Sequence, residues 1–392
     1  MQHADAQLIC HHCGASFRRV PVEKDHVAVC RRCDTVLETY SGLGADGWCA
    51  LSLTALITFI LANAYPVGTL VFQGTGQSAT FLDTVKVAWD AGYPWVATLT
   101  GATGFVLPAL HISLLLWILV PLSIGRVAPA FERVADIIDK ITPWSMVPVF
   151  LLGALVAIVK LVNLATLKLG VGLFATVITA VLLTGLMRLN GQKLRNMAQD
   201  LGLSVVNAHP HPPPSPRLIN RTWALLVTAV ILYIPANLLP IMYVDAINGS
   251  SGHTIMGGVI ELWASGAWDI ALVVFIASVF VPTLKLFALG VLVWLTQKRS
   301  SLNLKARTRI YGMVEFIGQW SMLDVFVVIL LAALGKFGSL LDISPGAGAA
   351  AFGGVVVLTM IAAMGFDPRL SWRMAGHRRH LKQPEQTLSP DT

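Results

Sequence analysis

The chain has 392 residues, of which 55% are hydrophobic and only 12% charged, with a mean hydropathy of +0.69. So apolar and charge-poor a composition excludes an ordinary soluble globular protein and a disordered one. The net charge of +7, from 28 Lys and Arg against 21 Asp and Glu, is a signal of membrane topology and gives no support to nucleic-acid binding.

In chain order, the first 40 residues carry two C-x2-C pairs, Cys10-His-His-Cys13 and Cys30-Arg-Arg-Cys33, separated by 16 residues. Each pair puts two thiolates on one tight turn, and two such turns close a tetrahedron, the arrangement of a zinc ribbon. The same four thiolates also fit a mononuclear iron centre; zinc is favoured over iron. With all four positions filled by cysteine there is no open coordination site, so the metal folds a small domain that lacks a core. Gly14 suits the turn after the first pair, whereas Asp34 after the second does not match that preference. Cys49 reads as a small buried apolar residue.

Six stretches without Lys, Arg, Asp or Glu follow: Trp48 to Phe72, Ala91 to Gly125, Ile141 to Val159, Leu169 to Met187, Thr222 to Val244 and Ile343 to Phe366. Each is long enough to cross a bilayer, since about 20 apolar residues suffice. Two more, Ile270 to Gln297 with Lys285 and Phe316 to Leu341 with Asp324 and Lys336, bring the expected count to eight spans. Between the first and second span of each half, Phe81 to Gly92 and Ile255 to Trp263 have an amphipathic helical pattern. Each segment is expected either to lie on the outer leaflet or to pack over the bundle mouth.

The chain repeats itself. Asn63-Ala-Tyr-Pro66 recurs as Asn237-Leu-Leu-Pro240, Trp89-Asp-Ala-Gly92 as Trp263-Ala-Ser-Gly266, and Pro108-Ala-Leu-His111 as Pro282-Thr-Leu-Lys285, all at an offset of 174. Trp144-Ser-Met146 recurs as Trp320-Ser-Met322, and Lys160 as Lys336, at an offset of 176. Five pairs in order imply an internal duplication. Four spans per half make the repeats parallel in the membrane, and transporters built this way place a pathway at the repeat interface. The expected fold is therefore an all-α integral membrane protein of two parallel four-helix repeats with a small N-terminal cytoplasmic zinc ribbon. Its expected parts are the ribbon (1–47), the first repeat (48–190), a Pro/His linker (191–221), the second repeat (222–370) and a basic tail (371–392). The linker's His209 and His211, set among prolines, read as an extended spacer. Gly346, Gly348, Gly353 and Gly354 give the last helix a small-residue packing face.

Of the 28 Lys and Arg, 23 fall in the ribbon, in alternate gaps between spans and in the tail, which puts both termini in the cytoplasm. That side is reducing, so the four cysteines are not expected to form disulfides. No secretory signal peptide is expected.

Polar residues inside the spans are the place to look for mechanism. Lys160 and Lys336 lie 15 residues beyond Ser145 and Ser321, roughly 22 Å along a helix. They can snorkel to the outer headgroups or contact an anionic one. Asp324 stands one turn from Ser321, and a Lys285 to Asp324 pair is expected from the cost of leaving either alone in hydrocarbon. His111 and Pro148 replace these in the first half, so any titrating route belongs to the second. Asn63 and Asn237, each three residues before a proline, are expected to satisfy carbonyls that the proline frees. No P-loop, H-E-x-x-H, G-x-S-x-G or G-x-G-x-x-G motif is present, so neither nucleotide binding nor catalysis is expected.

The ribbon, the two repeats, the paired Trp-Ser-Met segments and the closing Phe366-Asp-Pro-Arg369 together resemble the paraquat-inducible protein A family of bacterial inner-membrane proteins. The resemblance covers nearly the whole chain. It implies a partner carrying mammalian-cell-entry (MCE) domains that form a periplasm-spanning tunnel, and phospholipid passed between inner membrane and tunnel in support of outer-membrane integrity. Family members commonly carry a second ribbon before the second repeat, and this chain has no cysteine after Cys49. The expected route for lipid lies between helices of the second repeat, along Lys285, Ser321, Asp324 and Lys336. A secondary transporter of a small amphipathic solute and a redox- or metal-sensing membrane protein are the alternatives.

Overall fold

A computed structural model describes residues 7–19, 22, 24, 26–40, 42–72, 75–90, 92, 94–145, 147–149, 151, 153, 166–203, 217–246, 249–266, 268–298, 303–318, 326–327 and 341–374. About half of the third expected span and most of the seventh fall outside these residues. Lys160, Ser321, Asp324, Lys336, His209 and His211 go with them.

At one end of the molecule, here the ribbon end, two antiparallel hairpins pair β1 (Gln7–Ile9) with β2 (Ser16–Arg18) and β3 (Val27–Val29) with β4 (Val36–Thr39). Helix α1 (Ala45–Ala64) leads away from them. It stops two residues short of Pro66, with Tyr65 extended at φ −110° and ψ 149°, because a proline excludes the helical region from the residue before it. The apolar residues beyond form a strand, not the continuation of a span.

That strand, β5 (Gly68–Phe72), is the centre of an antiparallel sheet with β6 (Thr75–Ala79) and the distant β7 (Thr166–Leu169). Helix α2 (Phe81–Asp90) follows, then α3 (Pro94–Gly101), a π-helical turn (Ala102–Val106) and α4 (Leu107–Ser123) in one continuous run. A short amphipathic α5 (Phe131–Ile141) comes next. After β7, α6 (Val171–Leu186) returns to the ribbon end and α7 (Gly191–Asp200) turns away from it by 67°.

The second half contains α8 (Arg217–Leu238), β8 (Met242–Ala246), β9 (Gly249–His253), α9 (Ile255–Ala264), α10 (Trp268–Phe275), a π-helical turn (Ile276–Phe280) and α11 (Val281–Gln297). Then come α12 (Leu304–Gly318), β10 (Leu341–Pro345) and α13 (Ala347–Gly365). From β5 to α4, six consecutive elements have both bounds displaced by 174 in their counterparts from β8 to α11. Strands β9, β8 and β10 form the second sheet, with Met242 opposite both His253 and Pro345.

Each sheet is joined to the helix after its last strand by the same device. The backbone N–H groups of Gly170 and Gly172 donate to the carbonyls of Val67 and Pro66, and those of Gly346 and Gly348 donate to the carbonyls of Ile241 and Pro240. A Cβ on any of the four would collide with a proline carbonyl or its neighbour, so only glycine fits.

Five helices among the described residues are long and apolar enough to cross a membrane: Ala45–Ala64, Pro94–Ser123, Arg217–Leu238, Ser278–Gln297 and Ala347–Gly365. Val171–Leu186 with Gly191–Asp200 makes a sixth if the bent pair counts as one span. The chain is a multi-pass membrane protein, and the expectation of an all-α molecule is corrected by the two three-stranded sheets. In α2, Phe81, Thr84 and Ala88 are buried against the bundle while Leu82 and Trp89 are exposed; α9 buries Ile255 and Val259 and exposes Met256, Ile260 and Trp263. These segments pack over the bundle and also present an apolar outer edge.

The first half packs its own core around Ile112, Leu115, Ile138 and Leu183, and the second around Leu289, Leu292, Tyr311 and Phe366. A third cluster joins them, with Phe81, Val96 and Ala97 from the first half against Phe352, Val355 and Val356 from the second.

Candidate metal centre and intramembrane polar positions

The hairpins of the ribbon carry the cysteines on their turns. In the first turn Gly14 donates its N–H to the Cys10 carbonyl with φ at +72°, and in the second Asp34 does the same to Cys30 with φ at +61°. Aspartate therefore fills the left-handed position for which glycine was expected, a conformation that Asp and Asn tolerate better than most side chains. The Sγ atoms of Cys10 and Cys33 are 3.5 Å apart, as are those of Cys13 and Cys30, and all four lie within 4.8 Å of one another. Sulfurs around a tetrahedral zinc, with bonds of about 2.3 Å, stand ~3.8 Å apart, so the tetrad has the right size. Its residues are 0–5% exposed. Burial pushes the Cys10 thiol up to about 11 and the Cys13 thiol higher still. A cation at the centre reverses that penalty by pairing with the thiolates, so the donor set fits a divalent metal and has no free ligand position.

The ribbon is seated on both halves. Toward the first, Arg19 bridges Glu38 at 2.8 Å and Asp200 of α7 at 2.7 Å, and Asn196 donates to Glu38. The Asp200 contact contributes most to holding the Arg19 guanidinium above its ordinary pKa, with burial opposing it. Helix α7 is itself capped by Asn190 and pinned to α5 by Arg195, which meets Glu132 and Asp136 at 2.7 Å each. Toward the second half, Trp372 packs on the cysteine cluster and lies under Arg32, 4.8 Å from the ring centroid. Tyr311 meets the His12 ring edge-on, and Lys305 pairs with Asp34 at 3.0 Å. Arg369, paired with Asp367, lies against the turn at Gly14. Sequence reasoning missed these seating residues; the Phe366-Asp-Pro-Arg369 motif was their one signal.

Inside the membrane part, His111 and Lys285 sit at matched positions in α4 and α11, each three residues past a proline. His111 is fully buried; its Nε2 is 3.4 Å from the Thr142 hydroxyl and its Nδ1 has no partner among the described residues. Ser145, three residues after Thr142, is buried and its hydroxyl has no partner among the described residues. Lys285 is 3% exposed and its Nζ finds no hydrogen-bond partner among the described residues. Asn63 and Asn237 donate to the carbonyls of Phe59 and Tyr233, four residues earlier. They therefore reinforce the helix above and do not reach the carbonyls of Ala62 and Ala236 that the prolines leave.

Two apolar concavities flank α11. A groove of about 750 Å³ lies against α8, walled by Trp223, Trp294 and Phe287, and Trp223 donates to Gln297 at its ribbon end. A slot of about 340 Å³ lies against α12 and contains Lys285 and Arg307.

The family model for paraquat-inducible protein A matches residues 45–194 and 219–375. The chain is 30% identical to the intermembrane transport protein PqiA of Escherichia coli K12, over 96% of this chain and 98% of that one. It is 29% identical to a probable intermembrane transport protein of Haemophilus influenzae, over 94% and 96% of the two chains. It is 26% identical to lipophilic envelope-spanning tunnel protein A of E. coli K12, over 93% and 90%. No solved structure matches. With both membrane halves matched and a relative aligned almost end to end, the chain belongs to the paraquat-inducible protein A family.

Proposed function

We propose that the chain is the inner-membrane component of a lipid-transport system, passing phospholipid between that membrane and a periplasm-spanning tunnel of MCE domains. In this reading it has eight spans in two parallel repeats with both termini cytoplasmic. It supports outer-membrane integrity and performs no catalysis. The recurrence of element bounds at 174 supports the duplication, and the names of the relatives support transport across the envelope. The observation that carries the lipid reading is the groove between α8 and α11, whose walls are almost wholly apolar and open sideways between two membrane-crossing helices. Lipid enters there, and Lys285, Ser321, Asp324 and Lys336 provide the polar route in the second repeat. Lys160, Ser145 and His111 are their weaker counterparts in the first. A zinc ion at Cys10, Cys13, Cys30 and Cys33 holds the ribbon.

The test is purification of the tagged chain from its native membrane in mild detergent, with mass spectrometry of co-eluting proteins and lipids. An MCE-domain protein with phospholipid is expected, both reduced by Lys336→Ala. Outer-membrane barrier function equal to wild type in Asp324→Asn and Lys336→Ala, or solute transport by the chain alone in liposomes, overturns the reading.

A further inference from the structure

We propose that the slot between α11 and α12 is a binding site for an anionic amphiphile, with its acidic headgroup on the Lys285 ammonium and its hydrocarbon chain along the slot walls. This deepens the lipid reading, on which it rests for its place in transport. It does not rest on that reading for its chemistry.

Two independent observations meet at this place. The first is electrostatic. Lys285 lies near the middle of a 20-residue apolar helix, is 3% exposed, and has no hydrogen-bond partner among the described residues. An ammonium so placed is costly unless an anion or an ordered polar group meets it. Among the described residues the slot lining supplies none: its two charged residues, Lys285 and Arg307, are both cations, and none is acidic. Arg307 donates through Nη2 to the Thr296 hydroxyl at 3.0 Å, which fixes its side chain at the ribbon end of the slot.

The second observation is the shape and chemistry of the walls. Leu284, Val291 and Leu295 of α11 face Ile310, Met313 and Val314 of α12, an uninterrupted apolar lining of about 340 Å³. Leu284, Ile310 and Met313 are 42–57% exposed, so the slot opens sideways along its length. A hydrated inorganic anion gains nothing from such walls, whereas an acyl chain does. A buried, unpartnered cation beside a lateral apolar slot therefore selects a molecule that is both acidic and hydrocarbon. Phe287 and Val291 line this slot and the wider groove on the other side of α11, so a single helix separates an uncharged lipid surface from a cationic one.

The experiment uses the purified full-length chain in phosphatidylcholine nanodiscs, into which phosphatidylglycerol is titrated and retained lipid counted by native mass spectrometry. Wild type is expected to retain phosphatidylglycerol over phosphatidylcholine by about tenfold or more, the scale of one buried charged hydrogen bond. Lys285→Met, which keeps the packing and removes the charge, is expected to lose that preference, and Lys285→Arg to keep it. Met313→Trp fills the slot from α12 without touching the charge and is expected to remove phosphatidylglycerol too, which covers a failure of Lys285→Met to fold. An unchanged preference in Lys285→Met or Met313→Trp overturns the site, and so does displacement of phosphatidylglycerol by millimolar inorganic phosphate. Lost preference with an intact outer-membrane barrier leaves the site standing and removes the transport reading. A lost barrier with unchanged preference does the reverse.

Discussion

Lys285 occupies in α11 the place that His111 occupies in α4: each lies three residues past a proline in the first turn after a π-helical turn, and each is buried. One backbone solution thus presents two different bases. Short π-helical turns mark functional positions in many helices. The second half, which carries the lysine, is also the one whose neighbouring slot is lined by a second basic side chain, Arg307.

His111→Leu tests whether the first-half position matters for stability. An imidazole with an unpartnered Nδ1 and only a 3.4 Å contact at Nε2 returns little for its burial. We expect the change to leave thermal unfolding within ~1 kcal/mol of wild type or to raise it, as read by Tm in detergent.

Metal removal acts on the ribbon alone. Cys13→Ser, or a strong chelator, is expected to bring bound metal from one equivalent to near zero and expose residues 7–40 to protease, since a ribbon without a core folds on its metal. The apolar helices keep their α-helical circular dichroism. Bound metal measured by plasma mass spectrometry settles zinc against iron, and an iron-loaded sample is coloured.

Trp372 is the largest side chain in the seat of the ribbon. Trp372→Ala removes its packing on the cysteine cluster, its contact with Arg32 and its bond to Thr308. A loss of about 3 kcal/mol from docking is expected, read as faster hydrogen exchange in residues 7–40 with metal content unchanged. Lys305→Ala breaks a half-exposed ion pair and should cost less than ~1 kcal/mol.

The sheet-to-helix junctions are expected to be intolerant. Gly346→Ala and Gly170→Ala place a Cβ against the Pro240 and Pro66 carbonyls, and loss of folded protein by size-exclusion chromatography is the expected result. Gly185→Ala, in α6 with open space around it, is the control and should stabilise by about 0.5–1 kcal/mol.

Much of this architecture was legible in the sequence because it repeats there. Asn63 and Pro66, Trp89 and Gly92, and Pro108 and His111 mark element ends, and their offset of 174 is the offset of the elements themselves. The cysteine spacing likewise gave the tetrad, because four ligands on two turns leave one geometry. The sheets were hidden because Gly68–Phe72 and Met242–Ala246 adjoin apolar helices, and a short apolar run has no period that tells strand from helix. Their pairing with β7 and β10, about a hundred residues away, has no local signal. Helix α7 was assigned to a linker because its stabilising contacts, from Arg195 to Glu132 and Asp136, come from another element. The seat of the ribbon was invisible for the same reason: Trp372 and Tyr311 read as ordinary core aromatics until the cysteines are placed beside them.

The seating of the ribbon also sets an order of events during synthesis. Cys10 leaves the ribosome long before Trp372, which follows it by 362 residues. The ribbon can take its metal while most of the membrane part is still unmade, but its platform is complete only after the last membrane-crossing helix has been laid down. Docking is therefore a late, long-range step in maturation, and one that couples a metal-loaded beginning to a fully inserted end. A chain stalled or mis-inserted in its second half would carry a folded ribbon with half its seat missing, a difference that a quality-control protease at the membrane surface could read.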